Sequence, residues 1–281
     1  MESGAPRLDR ELLWLSLMRE VTARFPSWAV WKNAESALHG HGDIDSFAHP
    51  RDWPSIETVF LDWVREHGLG PPIICRHVPQ GPHFVTLDPH SDYLLQFDVK
   101  VRATFRGCTL MDVADLQTLS KMDDRGFRGI RPGAEGVIKL LYNGMDPGGV
   151  PNPGGLQDKR IPDLLSQDPV GADMACELVG SAAPRLRRAV AALLDGGWDQ
   201  SSLVAVERWA KRKALTEPGV ALSRIWFNAV PLRRCPVLEV IRRHDRRVPE
   251  DRTEWLRRVA RGHRMPVIGR PSSLPPEPNA N

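Results

Sequence analysis

Between Ile73 and Val101, three runs suited to β-strands follow one another with no room for a helix between them. They are Ile73–Val78, His83–Leu87 and Tyr93–Val101, each rich in β-branched or aromatic residues. The intervening segments are Pro79-Gln80-Gly81-Pro82 and Asp88-Pro89-His90-Ser91-Asp92, which is turn chemistry. Parallel neighbours need a crossover of roughly a dozen residues or more, so these runs predict antiparallel pairing. A chain that must build such a sheet cannot be an all-helical bundle.

The flanking segments extend this pattern. Residues 8–24 read as an amphipathic helix with Leu8, Leu12, Leu15, Leu17 or Met18, and Val21 inward, ended by Pro26. Trp28–Trp31 is a short apolar strand candidate, and the alternation from Asp43 to Phe47 predicts another strand. Pro54 suits the first turn of a helix over Trp53–His67 with Ile56, Val59, Phe60 and Trp63 inward. After Gly107 the character changes. Helices are predicted over Met111–Ser120, Ala134–Tyr142, Ile161–Gln167, Asp173–Leu178, Ala183–Leu194 and Ser202–Lys213. Asn143–Gly155, dense in Gly and Pro, reads as a lid or an exposed connection, and Arg224–Val230 as a short apolar segment of either type. The expected fold class is α+β. A mixed sheet with flanking helices spans 1–110, a mainly helical part spans 111–265, and 266–281 forms a disordered tail.

No stretch approaches the roughly 18 apolar residues of a membrane span. Met1–Arg10 carries charges of both signs, and Arg19 and Glu20 interrupt the run after it, which argues against a secretory signal. The four cysteines form no Cys-x-x-Cys pair, so neither a zinc site nor a disulfide framework is expected, and a reducing cytoplasm fits. Residues 201–281 hold 17 basic and 8 acidic side chains, against an acidic surplus before them. Arginine clusters at 185–188, 242–243, 246–247 and 257–258 make nucleic acid a candidate partner, with solvated arginines as the plainer alternative.

The sharpest local feature is Gly42-Asp43-Ile44-Asp45-Ser46. In a strand, Asp43 and Asp45 project from one face, about 7 Å apart at their Cα atoms. Their repulsion is relieved by a divalent cation, and oxygen donors suit magnesium. Asp98 interrupts an otherwise apolar strand and needs a partner if buried. Should its strand lie beside that of Asp43, the three carboxylates converge, enough to hold two magnesium ions for displacement at phosphorus.

Over residues 25–105 this order resembles the nucleotidyltransferase superfamily of polymerase-beta-like fold: strand, short turn into a helix, strand with D-x-D, later strand with a third acid. Ser36 falls where the family has its turn serine, and Glu35 where it has glycine. The resemblance implies that Asp43, Asp45 and Asp98 hold two Mg2+ ions. It also implies that Ser36 and nearby backbone amides bind the phosphates of a nucleoside triphosphate, and that a hydroxyl acceptor receives the nucleotide. The acceptor is a small metabolite, an RNA end or a protein side chain.

Further cations are needed for the triphosphate. Lys32 and Arg51 lie near the motif, and Arg76 is a further candidate. Glu135, Lys139 and Tyr142 share one helical face, so Lys139 either reaches the triphosphate across a cleft between the two parts or forms a surface pair with Glu135. His39 and His41, beside the motif, either hydrogen-bond phosphate or join metal binding, or are surface-loop histidines with no role, and His83 reads as an ordinary strand residue. A different class of function stays open: a binding or regulatory protein that keeps the fold without the activity.

Overall fold

The computed structural model describes residues 9–39, 43–69, 72–75, 80–87 and 94–229. The order begins α1 (Arg10–Arg24), β1 (Ala29–Lys32), α2 (Ala34–Leu38), β2 (Ile44–Phe47), α3 (Trp53–Glu66), β3 (Ile73–Cys75), β4 (His83–Leu87) and β5 (Leu94–Lys100). It continues with β6 (Arg102–Phe105), β7 (Cys108–Asp112), α4 (Val113–Thr118), β8 (Ser120–Met122), β9 (Arg128–Ile130) and α5 (Pro132–Lys139). After a π-helical turn over Leu140–Gly144 come β10 (Met145–Asp146), β11 (Val150–Pro151), α6 (Pro153–Asp158), α7 (Ile161–Gln167), α8 (Pro169–Glu177), α9 (Ala183–Leu194), α10 (Gln200–Thr216) and α11 (Pro218–Ala229). The fold is α+β, with a mixed sheet in the N-terminal part and a mainly helical C-terminal part.

The main sheet has the order β3-β4-β5-β2-β1-β9-β8. As the short turns require, β3–β4 and β4–β5 are antiparallel. The central pair β2–β5 is parallel, with α3 in the connection that returns the chain. The sheet continues past residue 110, where a helical part was expected to begin, because β9 pairs with β1 and β8 with β9. The predicted helix Met111–Ser120 is shorter than its apolar pattern suggests. Cys108–Asp112 pairs with β6, and a capping box of Asp112 and Asp115 starts α4 only at Val113.

Each face of the sheet has its own core. Val30, Ile44, Phe97 and Val99 pack with α1 and α3, whereas Ala29, Trp31 and Phe47 pack with the helical part. In α1 the buried residues Trp14, Leu17, Met18 and Val21 follow helical spacing, while Leu12, expected inward, is 63% exposed one position off that stripe. Ile56, Val59, Phe60 and Trp63 of α3 are buried as their spacing requires. In the helical part, α5 crosses α7 and α8 closely at Gly133 and Gly136.

The Gly- and Pro-rich segment after α5 is pinned and does not form a lid. The short β10–β11 ladder closes it, Glu207 accepts the Gly148 N–H at 2.8 Å, and Trp198 donates to the Gly149 carbonyl at 2.8 Å. Arg224–Ala229 lies within α11. The arginine clusters beyond residue 240, the tail from 266, and His41 and Arg76 lie outside the described residues. Among the described residues no helix is long and apolar enough to cross a membrane. Cys108 and Cys176 are buried free thiols, and burial pushes the Cys176 thiol up to about 12.

Candidate metal centre and adjoining cleft

Strand pairing positions the carboxylates. In the parallel register, Asp45 on β2 lies directly opposite Asp98 on β5. Ile44 and Phe97 turn toward α1 and α3, so alternation sends Asp45 and Asp98 to the face covered by the helical part. Asp43 precedes β2 and shares their side. One carboxylate oxygen from each of the three lies within 4.8 Å of the others. Asp45 and Asp98 are buried, at 2% and 3% exposure, and Asp43 is half-buried.

The predicted Lys32 and four residues not expected in the site, Lys100, Asn33, Gln96 and His83, complete the cluster. Lys100 Nζ lies 2.9 Å from Asp45 Oδ1 and 3.7 Å from Asp98 Oδ2. Lys32 Nζ lies 3.1 Å from Asp45 Oδ2, and Asn33 Nδ2 donates to the same oxygen at 3.0 Å. Gln96 Nε2 reaches Asp98 Oδ1 at 3.0 Å and Asp43 Oδ2 at 3.2 Å. His83, the register partner of Asp98, places Nδ1 2.5 Å from Asp98 Oδ1, so it belongs to the site. A signal existed for Gln96 and Lys100: with Asp98 they occupy positions i, i+2 and i+4 of one strand, a polar stripe on one face. Lys32 reaches Asp45 through a bulge. The register shifts between Val30 and Lys32, so Lys32 lies opposite Asp45.

These surroundings separate the carboxylates electrostatically. Burial is the largest influence on Asp43; with the charges of Asp45 and Asp98 it pushes that carboxyl up to about 6. Burial also works against Asp45, but Lys100 and Lys32 outweigh it and hold Asp45 down at about 2. Burial depresses the Lys100 ammonium, and Asp45 and Asp98 more than reverse this, leaving it above the usual lysine range. The donor set, three converging carboxylates, fits a hard divalent cation such as magnesium. The two ammonium groups already on Asp45 compete with it there.

A cleft of about 530 Å³ adjoins the cluster. Lys32, Ser36 and Arg125 line its sheet side, and Lys139, Lys159 and Arg160 its helical side. The three carboxylates do not line it; Lys32 and Asn33 belong to both. The predicted site residues Ser36, Lys32 and Lys139 thus meet in one cavity, with Ser36 exposed on α2. Lys139 Nζ is 2.6 Å from Glu135 Oε1, and its side chain is only 8% exposed. The pair therefore forms part of the cleft wall and not a solvated surface bridge. Glu135 Oε1 also accepts the Asn33 N–H at 3.0 Å, and Tyr142 stands edge-on to Trp31, so the predicted helix face meets β1. Glu35 is bonded by Arg125, which also holds Asp123.

The other candidates lie apart. Exposed His39 contacts the Glu35 carbonyl at 2.8 Å, and exposed Arg51 lies 3.7 Å from Asp52. Arg187 engages Asp173 and Glu177, leaving Arg185 and Arg188 exposed on α9. No protein-family model, curated protein or solved structure matches this chain.

Proposed function

We propose that this chain is a magnesium-dependent nucleotidyltransferase that moves a nucleoside monophosphate from a triphosphate to a hydroxyl acceptor. One observation carries the reading: the parallel register sets Asp45 against Asp98, with an oxygen of Asp43 within 4.8 Å. Because backbone pairing fixes two of the three donors, the charge cluster is held ready before substrate arrives. Magnesium held by Asp43, Asp45 and Asp98 would neutralise charge on the phosphoryl group and lower the pKa of the attacking hydroxyl. Lys32 and Lys139, on opposite walls of the cleft, bind phosphate oxygens, and the Ser36 hydroxyl donates to another. The acceptor hydroxyl attacks the α-phosphorus and pyrophosphate leaves. The chain's share of catalysis is positioning and charge compensation.

A second reading has its own observation. Lys100 and Lys32 both bind Asp45, which satisfies that carboxylate without any metal. On this reading the chain is a binding or regulatory protein that has kept the fold.

Thermal melts with magnesium and each nucleoside triphosphate separate the two. A ligand at 100 times its Kd stabilises by about 2.7 kcal/mol, worth several degrees in a protein of this size. Metal-dependent stabilisation, followed by transfer of α-labelled nucleotide onto an extract fraction and its loss in Asp45→Asn, supports the enzyme. Stabilisation without transfer supports the binding protein. No stabilisation by any triphosphate overturns the enzyme and leaves the binding or regulatory protein.

A further inference from the structure

Lys100 occupies its place through backbone geometry. It lies two residues beyond Asp98 on β5, hence on the same face, and pairs across from Phe47, two residues beyond Asp45 on β2. Its ammonium touches Asp45 Oδ1 at 2.9 Å, lies 3.7 Å from Asp98 Oδ2, and sits 5.5 Å from the centre of the Trp31 ring. The other oxygen of Asp45 is taken by Lys32 and Asn33, and Asp98 Oδ1 by Gln96 and His83. Asp43 is different. Gln96 donates to its Oδ2, and no described cation forms an ion pair with it.

We propose that Lys100 is a built-in cation that takes the place of a second metal ion beside Asp45 and Asp98, so that Asp43, Asp45 and Asp98 together hold one divalent ion and not two. This rests on the metal-dependent reading above. Charge favours the same count. Three carboxylates against two ammonium groups leave one net negative charge. A single divalent ion makes the site mildly positive toward an incoming triphosphate, whereas two would crowd like charges into a largely buried space. A lysine also supplies its charge as a fixed point that cannot dissociate.

Manganese is the probe. It is titrated alone into the full-length chain, with bound ions counted by loss of the free-ion EPR signal and by calorimetry. The wild-type chain is expected to bind one ion. Lys100→Met keeps an unbranched side chain but removes the charge; it is expected to bind two, the first at least tenfold more tightly. Lys32→Met serves as the control. Of the three carboxylates Lys32 pairs only with Asp45, whereas Lys100 reaches both Asp45 and Asp98, so Lys32→Met keeps one ion. If Lys100→Met fails to fold, Lys100→Gln, a neutral donor, carries the same expectation. Two ions on the wild-type chain, or one ion on both the wild-type and Lys100 variants, overturns this inference and leaves the metal site standing. No ion on any of the chains overturns the metal-dependent reading itself.

Discussion

Asn33 holds Asp45 from a left-handed backbone: at φ 65 its Nδ2 donates to Asp45 Oδ2 at 3.0 Å. The same residue gives its N–H to Glu135 across the cleft at 3.0 Å. Asparagine tolerates this conformation better than most residues, and glycine better still. Two substitutions therefore separate strain from hydrogen bonding. Asn33→Gly keeps the backbone and loses the amide, while Asn33→Ala loses the amide and adds roughly 1 kcal/mol or more of left-handed strain. We expect Asn33→Ala to be the less stable in urea denaturation by about that amount. Equal stability would mean that the turn relaxes when the side chain is lost.

Asp43 should make the metal-free protein depend on pH in a specific direction. Its carboxyl stands at about 6 against an ordinary 3.8, so the folded state prefers it protonated. The stabilisation from holding that proton is complete below the ordinary value and is lost as pH rises through about 6. Asp45 behaves oppositely. Held at about 2, it contributes stability at neutral pH that disappears only as pH falls toward that value. Asp43→Asn, which cannot ionise, should then stabilise the fold more at pH 7.5 than at pH 5, by about 1–2 kcal/mol after allowing for partial solvent contact. Melts at the two pH values check this, and a gain independent of pH would contradict it.

Short-range patterns made much of this fold legible. The turn chemistry between Ile73 and Val101 required antiparallel strands, and the D-x-D alternation together with the lone Asp98 pointed to neighbouring strands. Two kinds of information were hidden. Pairing across the chain is one: β9 joins β1 from the far side of residue 110, and no local pattern in Arg128–Ile130 reveals a central-strand neighbour. Irregularity is the other. The bulge that brings Lys32 onto Asp45 breaks the alternation from which strand faces are read. Lys100 was visible as part of a polar stripe, but His83 entered the site only through its register with Asp98. A histidine in a strand carries no mark of the residue opposite it.

Gly133 is required where α5 meets α8. A Cβ there would fall 1.9 Å from the Asp168 carbonyl oxygen and 2.5 Å from the Ala172 nitrogen, both backbone atoms that cannot rotate away. Asp168 is itself fixed, caught by Arg131 and capping the start of α8. Gly133→Ala should therefore cost several kcal/mol by overpacking, in the upper range for such changes. Gly148→Ala is the contrast. Its Cβ would meet nothing within 4 Å, and the cost is left-handed strain alone, about 1–2 kcal/mol. Chemical denaturation of the two variants should rank them in that order.

Lys139 tests whether the cleft binds anionic substrate or is held together only by its own charges. Lys139 and Glu135 are a largely buried pair at 2.6 Å, and Glu135 also accepts the Asn33 amide. Lys139→Met alone leaves that carboxylate with the amide and no cation, so we expect a loss of about 1–3 kcal/mol. Glu135→Gln in the same chain removes the stranded charge, keeps an acceptor for Asn33, and should recover most of the loss. Triphosphate affinity should behave differently. If the ammonium meets the phosphates, affinity falls about tenfold or more in Lys139→Met and stays low in the double variant, because restoring the wall does not restore the charge. Melting curves read the first effect, and calorimetric titration of a nonhydrolysable triphosphate with magnesium reads the second. Recovery of both stability and affinity in the double variant would assign Lys139 to the architecture of the wall and leave the triphosphate to the remaining cations of the cleft, Lys121 and Lys159 among them.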